Sequence, residues 1–244
     1  IENLLIKRDF MVDTKKLKIN NNFLYSFFKI LSVKEQNRLT RIQKKRNNFK
    51  LKYKTYKSEF EKQIDIINHS PITHNFEERK VDFSKKTWDT TYYKHCLDIE
   101  EPEEINSICY NYCEGLKWTF MYYFNECISF DWKYNFVHPP LIKDICEFLL
   151  ENDINKIKFQ KGKPNHIIVQ LLSIMPKESC YLLPEKYHQL MSSGSQLDIY
   201  YPRKYKLDTF FKRYEWMCVP ILPVLDLKKI NKIFRKINMD EKTR

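Results

Sequence analysis

The sequence predicts a mostly α-helical protein: an irregular multi-helix domain with long loops and one long basic helix near the N-terminus. Two observations predict this class. Apolar residues recur three and four positions apart in several stretches, which is the period of an amphipathic helix. Only three glycines occur in 244 residues, whereas sandwiches and barrels need frequent turn residues between short strands. The shortage of glycine also argues against a Rossmann dinucleotide site or a P-loop, because both need glycine-rich phosphate loops.

The composition is that of a folded, basic protein. Hydrophobic residues make up 43% of the chain and aromatic residues 15%, which excludes an intrinsically disordered chain. The formal net charge of +12 favours an acidic partner, with nucleic acid first. No run of about 18 uncharged apolar residues occurs, so no membrane span is expected. The seven cysteines are predicted to be free thiols, because their number is odd and no C-x-x-C pair occurs.

The domain organisation is predicted as one helical domain over 1–244, with N-terminal helices in 1–82 and a motif-rich core in 83–244. A start at Ile1 instead of methionine is expected for a piece of a longer protein. The lysine-rich, alanine-free composition is expected of an AT-rich genome, such as that of a large DNA virus or a microbial eukaryote.

The N-terminal region is predicted to contain a helix that asparagines at 20–22 cap, followed by a long helix to about Asn68. Ser32 and Glu35 have the spacing of a capping box for the long helix. Its second half carries an apolar stripe at helical spacing, formed by Tyr53, Tyr56, Phe60, Ile64 and Ile67. Residues 38–57 hold nine basic residues and no acidic one. This basic run is predicted to be a solvated face or, alternatively, a contact with phosphates.

The remaining elements are predicted from caps and prolines. A loop at 69–82 precedes a helix at 84–97, and an acidic turn at 98–104 leads into a helix from Pro102 to about Glu126. The acids of that turn are interpreted as a helix start instead of metal ligands, because catalytic carboxylates usually lie in pockets. Beyond an aromatic loop at 127–139, helices are predicted at 140–151, 165–175, 184–192 and 226–238, the last capped by Asp226.

The sequence contains no complete catalytic motif. The six histidines lack metal-ligand spacing, and neither G-x-S-x-G nor H-E-x-x-H occurs. The aromatic loop is the sharpest local feature, because its rings alternate with polar and basic residues. Such rings stack on unpaired bases at about 1–3 kcal/mol each, although the same pattern also suits a packed core. Spacing alone leaves both interpretations open.

This loop resembles a signature of the XRN family of 5′→3′ exoribonucleases. Residues 112–140, YCEGLKWTFMYYFNECISFDWKYNFVHPP, resemble Y-x-E-G-L-x-W-V-L-x-Y-Y-Y followed by C-x-S-W-x-W-Y-Y-P-Y-H-Y-A-P. Further resemblances follow the family's order over most of the chain: 18–32, 88–94, QLLSIMPKESCYLLPEKYHQLM at 170–191, YYP at 200–202, Asp208, Lys212, Trp216 and LPVLD at 222–226.

The resemblance implies a role for the chain as the helical second conserved region that follows the family's nuclease domain. The implied task is to shape the active-site entrance and guide single-stranded RNA with a 5′-monophosphate. The implied Mg²⁺ or Mn²⁺ belongs to the nuclease domain, so no catalytic or metal residue is assigned here and this part alone is expected to be inactive. The alternative is a non-catalytic RNA-binding or scaffold module derived from the family.

The implied partners are single-stranded RNA and the N-terminal nuclease domain of the same protein, in a monomer that contacts no membrane. The cytoplasm is the default location and the nucleus the alternative.

The RNA-binding residues that the resemblance implies lie in the aromatic loop. Trp132 matches the second tryptophan of S-W-x-W, Phe130 replaces the first, and Tyr134 is retained. Trp132 is therefore predicted to pack on the incoming RNA, with Lys133 and His138 beside it; His138 is displaced by one position. Further along, Phe210-Phe211-Lys212 replaces the family's N-G-K, so that turn is expected to differ.

Overall fold

The computed structural model of the chain describes residues 10–52 and 54–242, with side chains through residue 237. It confirms the mostly α-helical class. The chain divides into two compact units. Unit 1 comprises the described residues up to Gly162 together with Thr209–Met217, and unit 2 comprises Lys163–Asp208 with the described residues from Cys218 onward. The division at 82/83 stays a prediction.

Unit 1 holds a two-stranded antiparallel hairpin and most of the helices. The hairpin pairs β1 (Val12–Asp13) with β2 (Lys18–Ile19). The helices are α1 (Asn21–Ser32), α2 (Glu35–Asn47), α3 (Glu59–Asn68), α4 (Ser70–Thr73), α5 (Phe76–Arg79), α6 (Trp88–Leu97), α7 (Pro102–Phe124) and α8 (Ile142–Glu151). Short 3-10 helices lie at Ile154–Lys156 and Glu215–Met217.

Unit 2 is built around two helices and irregular turns. Helices α9 (Ile167–Ile174) and α10 (Leu227–Lys242) pack together, and 3-10 helices at Lys177–Leu182, Glu185–Met191 and Asp198–Tyr200 connect them. Strands β3 (Lys206–Asp208) and β4 (Val219–Ile221) pair antiparallel, with Lys206 opposite Ile221. The core includes Leu172 and Ile230, both 1% exposed. The predicted helix at 184–192 is a 3-10 helix, Glu185–Met191, which begins directly after Pro184.

Helix α1 begins and packs as its sequence predicts. The Asn20 side chain accepts a hydrogen bond from the Phe23 N–H at 3.1 Å, which satisfies one of the free donors at the helix start. Leu24 and Phe28 are buried in the same cluster as Ile145 and Leu149 of α8. The two helices therefore share one side of the unit 1 core.

The prediction of a long helix to Asn68 is wrong. Helix α2 ends at Asn47 and α3 begins at Glu59, so the basic run lies partly on α2 and partly on the irregular segment that follows. A run of like charges destabilises a continuous helix, because side chains four positions apart repel each other. Within the break, Lys54 and Tyr56 bind Asp65 of α3, with distances of 2.8 and 2.7 Å to its carboxylate.

The predicted capping box at 32–35 is also wrong. The Ser32 hydroxyl donates to the Lys29 carbonyl, and Glu35 turns its carboxylate to α8, where it accepts from the Ile142 and Lys143 N–H groups at 2.7 and 3.1 Å. The start of α3 has this kind of cap instead. Ser58 accepts from the Glu61 N–H at 3.2 Å, while the Glu61 carboxylate accepts from the N–H of residue 57.

The predicted apolar stripe is not buried. Phe60, Ile64 and Ile67 lie on α3 with exposed fractions of 75%, 41% and 50%, and Tyr53 lies outside the described residues. The predicted loop at 69–82 contains the one-turn helices α4 and α5, and Pro71 lies in the first turn of α4, where its missing N–H is tolerated. The remaining helices start and end close to their predictions, including α7 at Pro102 and α10, where Asp226 accepts from the Lys229 N–H.

No disulfide joins any of the seven cysteines, all of which lie in the described residues, and this agrees with the prediction of thiols. Cys109 and Cys113 lie one turn apart on α7, and both are fully buried. Burial raises the pKa of the Cys113 thiol to about 12, so it stays protonated at neutral pH. Within the part of the chain that the structure describes, no helix is long and apolar enough to span a membrane.

A buried ion pair connects Thr209–Met217 to the rest of unit 1. The Glu78 side chain is completely buried and takes two hydrogen bonds from the Arg46 guanidinium. The same Glu78 carboxylate accepts from the Phe211 N–H at 3.1 Å, and Arg46 also donates to the Lys212 carbonyl at 2.5 Å. Phe211 has φ 57° at the position where the family pattern has glycine. The turn therefore holds an aromatic residue in the left-handed conformation that glycine adopts most easily.

Candidate nucleic-acid interface

Aromatic side chains of helix α7 contact the aromatic loop, which folds back onto the helix. The Trp118 ring stacks on Tyr122 at a centroid distance of 5.2 Å and an interplanar angle of 7°. The Trp118 ring also stacks on Trp132 of the loop, at 5.5 Å and 24°. Residues 118 and 122 are four positions apart, so α7 places them on one face. We call Trp132, Trp118 and Tyr122 the aromatic ladder.

Gly115 makes room for Trp132 one turn before Trp118. A Cβ atom at Gly115 would lie 2.9 Å from Cη2 and 3.0 Å from Cζ2 of the Trp132 ring. Contacts this short are repulsive, so a larger residue at this position would move the ring. The G-x-x-W-x-x-x-Y spacing of α7 therefore places the two stacked rings, Trp118 and Tyr122, and the space that Trp132 occupies at Gly115 along one helix.

Hydrogen bonds to the backbone of the aromatic loop hold the loop in place; they come from side chains of α7 and from the backbone of Lys161. The Trp118 indole N–H donates to the Ser129 carbonyl at 2.8 Å, and the Phe130 N–H donates to the Lys161 carbonyl at 2.9 Å. The buried Asn111 accepts from the Asn135 N–H at 2.8 Å. Trp132 is thus flanked by fixed points on both sides.

The indole N–H of Trp132 is buried and has no hydrogen-bond partner among the described residues. A buried donor without a partner costs about 1–3 kcal/mol. The ring nevertheless lies against Gly115 and stacks on Trp118. The stacking surface of Trp132, and not its N–H group, is therefore the feature that the local structure preserves.

The other predicted site residues divide into two groups. Phe130 is 40% exposed, and Lys133 is exposed without an ion-pair partner in the described parts of the chain. Tyr134 instead packs inward, where its hydroxyl donates to the His138 carbonyl at 2.9 Å and burial raises its pKa above the usual value. The His138 ring lies edge-on to Phe210 at 5.4 Å. The structure thus brings Tyr134 and His138 together as packing residues, apart from the ladder.

Two members of the ladder were not among the predicted site residues. Trp118 and Tyr122 lie inside the stretch that carries the family resemblance, but the sequence does not show that Trp132 folds back onto them. A small residue three positions before a helical tryptophan was the available signal.

For metal binding, the described residues contain no group of three or more His, Cys, Asp or Glu side chains that would hold an ion.

Comparison with known proteins identifies the family. The sequence model of one family, described as the Xrn1 helical domain, matches residues 7–244. The chain belongs to the Xrn1 helical domain family. The resemblance found in the sequence is therefore confirmed.

Three curated relatives of this helical domain carry the name 5′-3′ exoribonuclease 2. The protein from Candida albicans is 30% identical over 172 residues, which is 65% of this chain and 18% of that protein. The Arabidopsis thaliana protein is 33% identical over 161 residues, which is 64% of this chain and 16% of the relative. The Schizosaccharomyces pombe protein is 32% identical over 160 residues, covering 63% and 16%. The chain spans less than a fifth of these relatives.

Proposed function

We propose that this Xrn1 helical domain shapes the entrance of a 5′→3′ exoribonuclease and guides single-stranded RNA with a 5′-monophosphate to the nuclease domain. The observation that carries the proposal is the aromatic ladder, in which Trp132 is stacked on Trp118 and seated on Gly115. A ring that is fixed in this way offers a base a stacking surface at low entropic cost, because the ring is already ordered.

The catalytic metal, Mg²⁺ or Mn²⁺, belongs in this proposal to the nuclease domain of the parent protein. Two divalent ions there would position the attacking water and stabilise the leaving oxygen of the phosphodiester. This chain supplies the surface along which the strand arrives. The proposal therefore expects no hydrolysis by the isolated 244-residue chain.

The first test measures degradation of 5′-monophosphate RNA by the full-length parent enzyme. Trp132→Ala should reduce processivity, because the loss of one base–aromatic stack of about 1–3 kcal/mol releases the strand more often. Trp132→Phe should retain most activity, since the indole N–H that it loses has no partner. Tyr205→Ala is the control, because Tyr205 is 55% exposed and lies in unit 2. Unchanged processivity in a folded Trp132→Ala enzyme would contradict the proposal.

The second test incubates the isolated chain with Mg²⁺ or Mn²⁺ and 5′-monophosphate RNA. We expect the RNA to stay intact, while the full-length parent degrades it under the same conditions. Metal-dependent hydrolysis by the purified chain would overturn the assignment of catalysis to the nuclease domain. If the parent protein is itself inactive but binds the strand through Trp132, the non-catalytic RNA-binding module is the correct function.

A further inference from the structure

A second surface of unit 1 combines exposed cations with a stacked aromatic pair, Trp216 and Tyr214, of which Trp216 is exposed. The basic run contributes nine cationic side chains, of which Arg46 pairs with Glu78 and Lys54 with Asp65. The others are exposed and have no ion-pair partner among the described residues: Arg38, Arg41, Lys44, Lys45, Lys50, Lys52 and Lys57. So many unpaired positive charges within twenty residues attract a polyanion, because binding releases its counterions.

Phe49 joins this basic run to Thr209–Met217. It follows the end of α2, where its N–H donates to the Arg46 carbonyl at 3.0 Å. Its ring stacks on His69 at 6.1 Å and 14°. The Arg213 guanidinium lies 5.7 Å from the Phe49 centroid and 5.3 Å from that of Tyr214. The cations of the run and the rings of the later segment therefore share one region of unit 1.

Trp216 is the exposed end of this cluster. Its side chain is 74% exposed, and its ring stacks on Tyr214 at 5.7 Å and 10°. Tyr214 is in turn supported edge-on by His69 at 4.9 Å. A tryptophan this accessible, with a stacked ring beneath it, is ordered enough to receive a further flat ring.

The charge of this surface comes from the basic run. The turn at 213–217 contributes one cation, Arg213, and one carboxylate, Glu215, and so adds no net charge. An acidic peptide would use the cations but would have no partner for Trp216. A single nucleic-acid strand uses both, because its phosphates pair with lysine or arginine and its unpaired bases stack on aromatic rings.

We propose that the basic run and the Trp216–Tyr214 pair form a second binding surface for single-stranded nucleic acid, distinct from the aromatic ladder. Trp216 stacks on a base, and the unpaired cations track the adjoining phosphates. The contacts are sequence-independent, since stacking and phosphate pairing read no base edges. This inference goes beyond the proposed function and does not depend on Trp132.

The direct test measures binding of a fluorescent 5′-hydroxyl oligouridine of about ten nucleotides to the full 244-residue chain. Trp216→Ala should weaken binding by about 5-fold or more, which corresponds to the loss of one stack. Trp216→Tyr should restore most of the affinity. Tyr181→Ala is the matched control, since Tyr181 is 71% exposed and lies in unit 2. The melting temperature should be unchanged in each variant, because both side chains are exposed.

The salt dependence of binding tests the cations separately. Replacing Lys50 and Lys52 by glutamine should lower the slope of log K against log salt concentration by about 0.7 for each lost phosphate contact. Lys156→Gln with Lys158→Gln is the matched control. These lysines are also exposed, have the same spacing and remove the same charge. We expect the control pair to leave the slope nearly unchanged.

Three results would overturn the inference. The first is unchanged affinity of Trp216→Ala, and the second is equally tight binding of a duplex of the same length, in which bases are not free to stack. The third is a polyglutamate peptide that displaces the RNA from the wild type but not from Trp216→Ala, which would assign the surface to an acidic protein. If only Trp132→Ala weakens binding, this inference fails while the proposed function stands. If only Trp216→Ala weakens binding, this inference stands and the stacking role of Trp132 fails.

Discussion

Two tryptophans of unit 1 illustrate two ways in which a protein can present a ring. Trp132 is half-buried, seated on Gly115 and stacked on Trp118. Trp216 is 74% exposed and rests on Tyr214. The first ring is held in a fixed orientation and is partly exposed, whereas the second is far more accessible and rests on one stacked ring. We therefore expect Trp132 to affect how a strand is positioned and Trp216 to affect how tightly it is held.

The supports of the two rings also differ in chemistry. Trp132 depends on neutral packing along α7 and on backbone hydrogen bonds of the aromatic loop. Trp216 belongs to Thr209–Met217, which is held to the rest of unit 1 through the buried Arg46–Glu78 pair. Substitutions in each support should therefore disturb one ring without the other.

Arg46→Ala should give the largest effect on stability. It leaves the Glu78 carboxylate buried and without its cation, and breaking a buried ion pair in this way costs about 3–5 kcal/mol. We expect the denaturant midpoint to fall by a corresponding amount, and RNA binding through Trp216 to weaken before the chain unfolds. Chemical denaturation measures the first effect and the oligouridine assay the second.

The double variant Arg46→Met, Glu78→Leu is the control for Arg46→Ala. It replaces both members of the pair by apolar side chains, so no buried charge is left unpaired. We expect it to be more stable than Arg46→Ala. Equal stability of Arg46→Ala and the wild type would show that this pair does not hold the segment.

Gly115→Ala should have an intermediate effect confined to the aromatic ladder. The new methyl group would lie 2.9 Å from the Trp132 ring, which cannot move freely because Trp118 lies on one side of it. Overpacking of this kind costs about 1–3 kcal/mol. In a Trp132→Ala background the cost should shrink, since the clashing ring is gone.

A double-mutant cycle of stability measures this coupling between positions 115 and 132. Binding through Trp216 serves as an internal control, because Gly115→Ala should leave it unchanged. Additive changes in the free energy of unfolding would show that Gly115 does not make room for the Trp132 ring.

The elements that the sequence predicts well are those whose signals are local. The start of α7 follows from Pro102 and the acids after it, and the start of α1 follows from Asn20. The capping box at 32–35 was wrong because Glu35 accepts from the N–H of Ile142 in α8, 107 positions further along the chain. A capping box that looks complete in the sequence can thus be taken apart by a distant partner.

The same contrast applies to the candidate sites. Trp132 was identified from the family resemblance, since its motif is continuous in the sequence. Trp118 was missed because its role depends on the loop folding back onto α7. The surface around Trp216 could not be predicted, because Phe49 and Arg213 meet only in the folded chain. Stacking across long sequence separations leaves no periodic signal.

The smallest effect concerns pH and the far end of the aromatic loop. Glu35 anchors α8, which begins directly after that loop, and burial raises the pKa of its carboxyl above the usual 4.5. Asp144 nearby raises it further, while the N–H groups of Ile142 and Lys143 oppose the shift. A raised folded-state pKa contributes stability below the unfolded-state pKa and loses it as the pH rises through the folded value.

Wild type should therefore gain stability relative to Glu35→Gln as the pH is lowered from 7 toward about 4. The comparison with Glu35→Gln is needed because carboxyls with lowered pKa values, such as Asp89 and Asp153, destabilise the whole fold in acid. Denaturation of both proteins across this range measures the difference. Binding through Trp216 should follow the same pH profile in both, since Glu35 binds the start of α8 and, among the described residues, shares no hydrogen bond with the Trp216 cluster. A stability difference that is constant with pH would show that Glu35 carries its ordinary pKa in the fold.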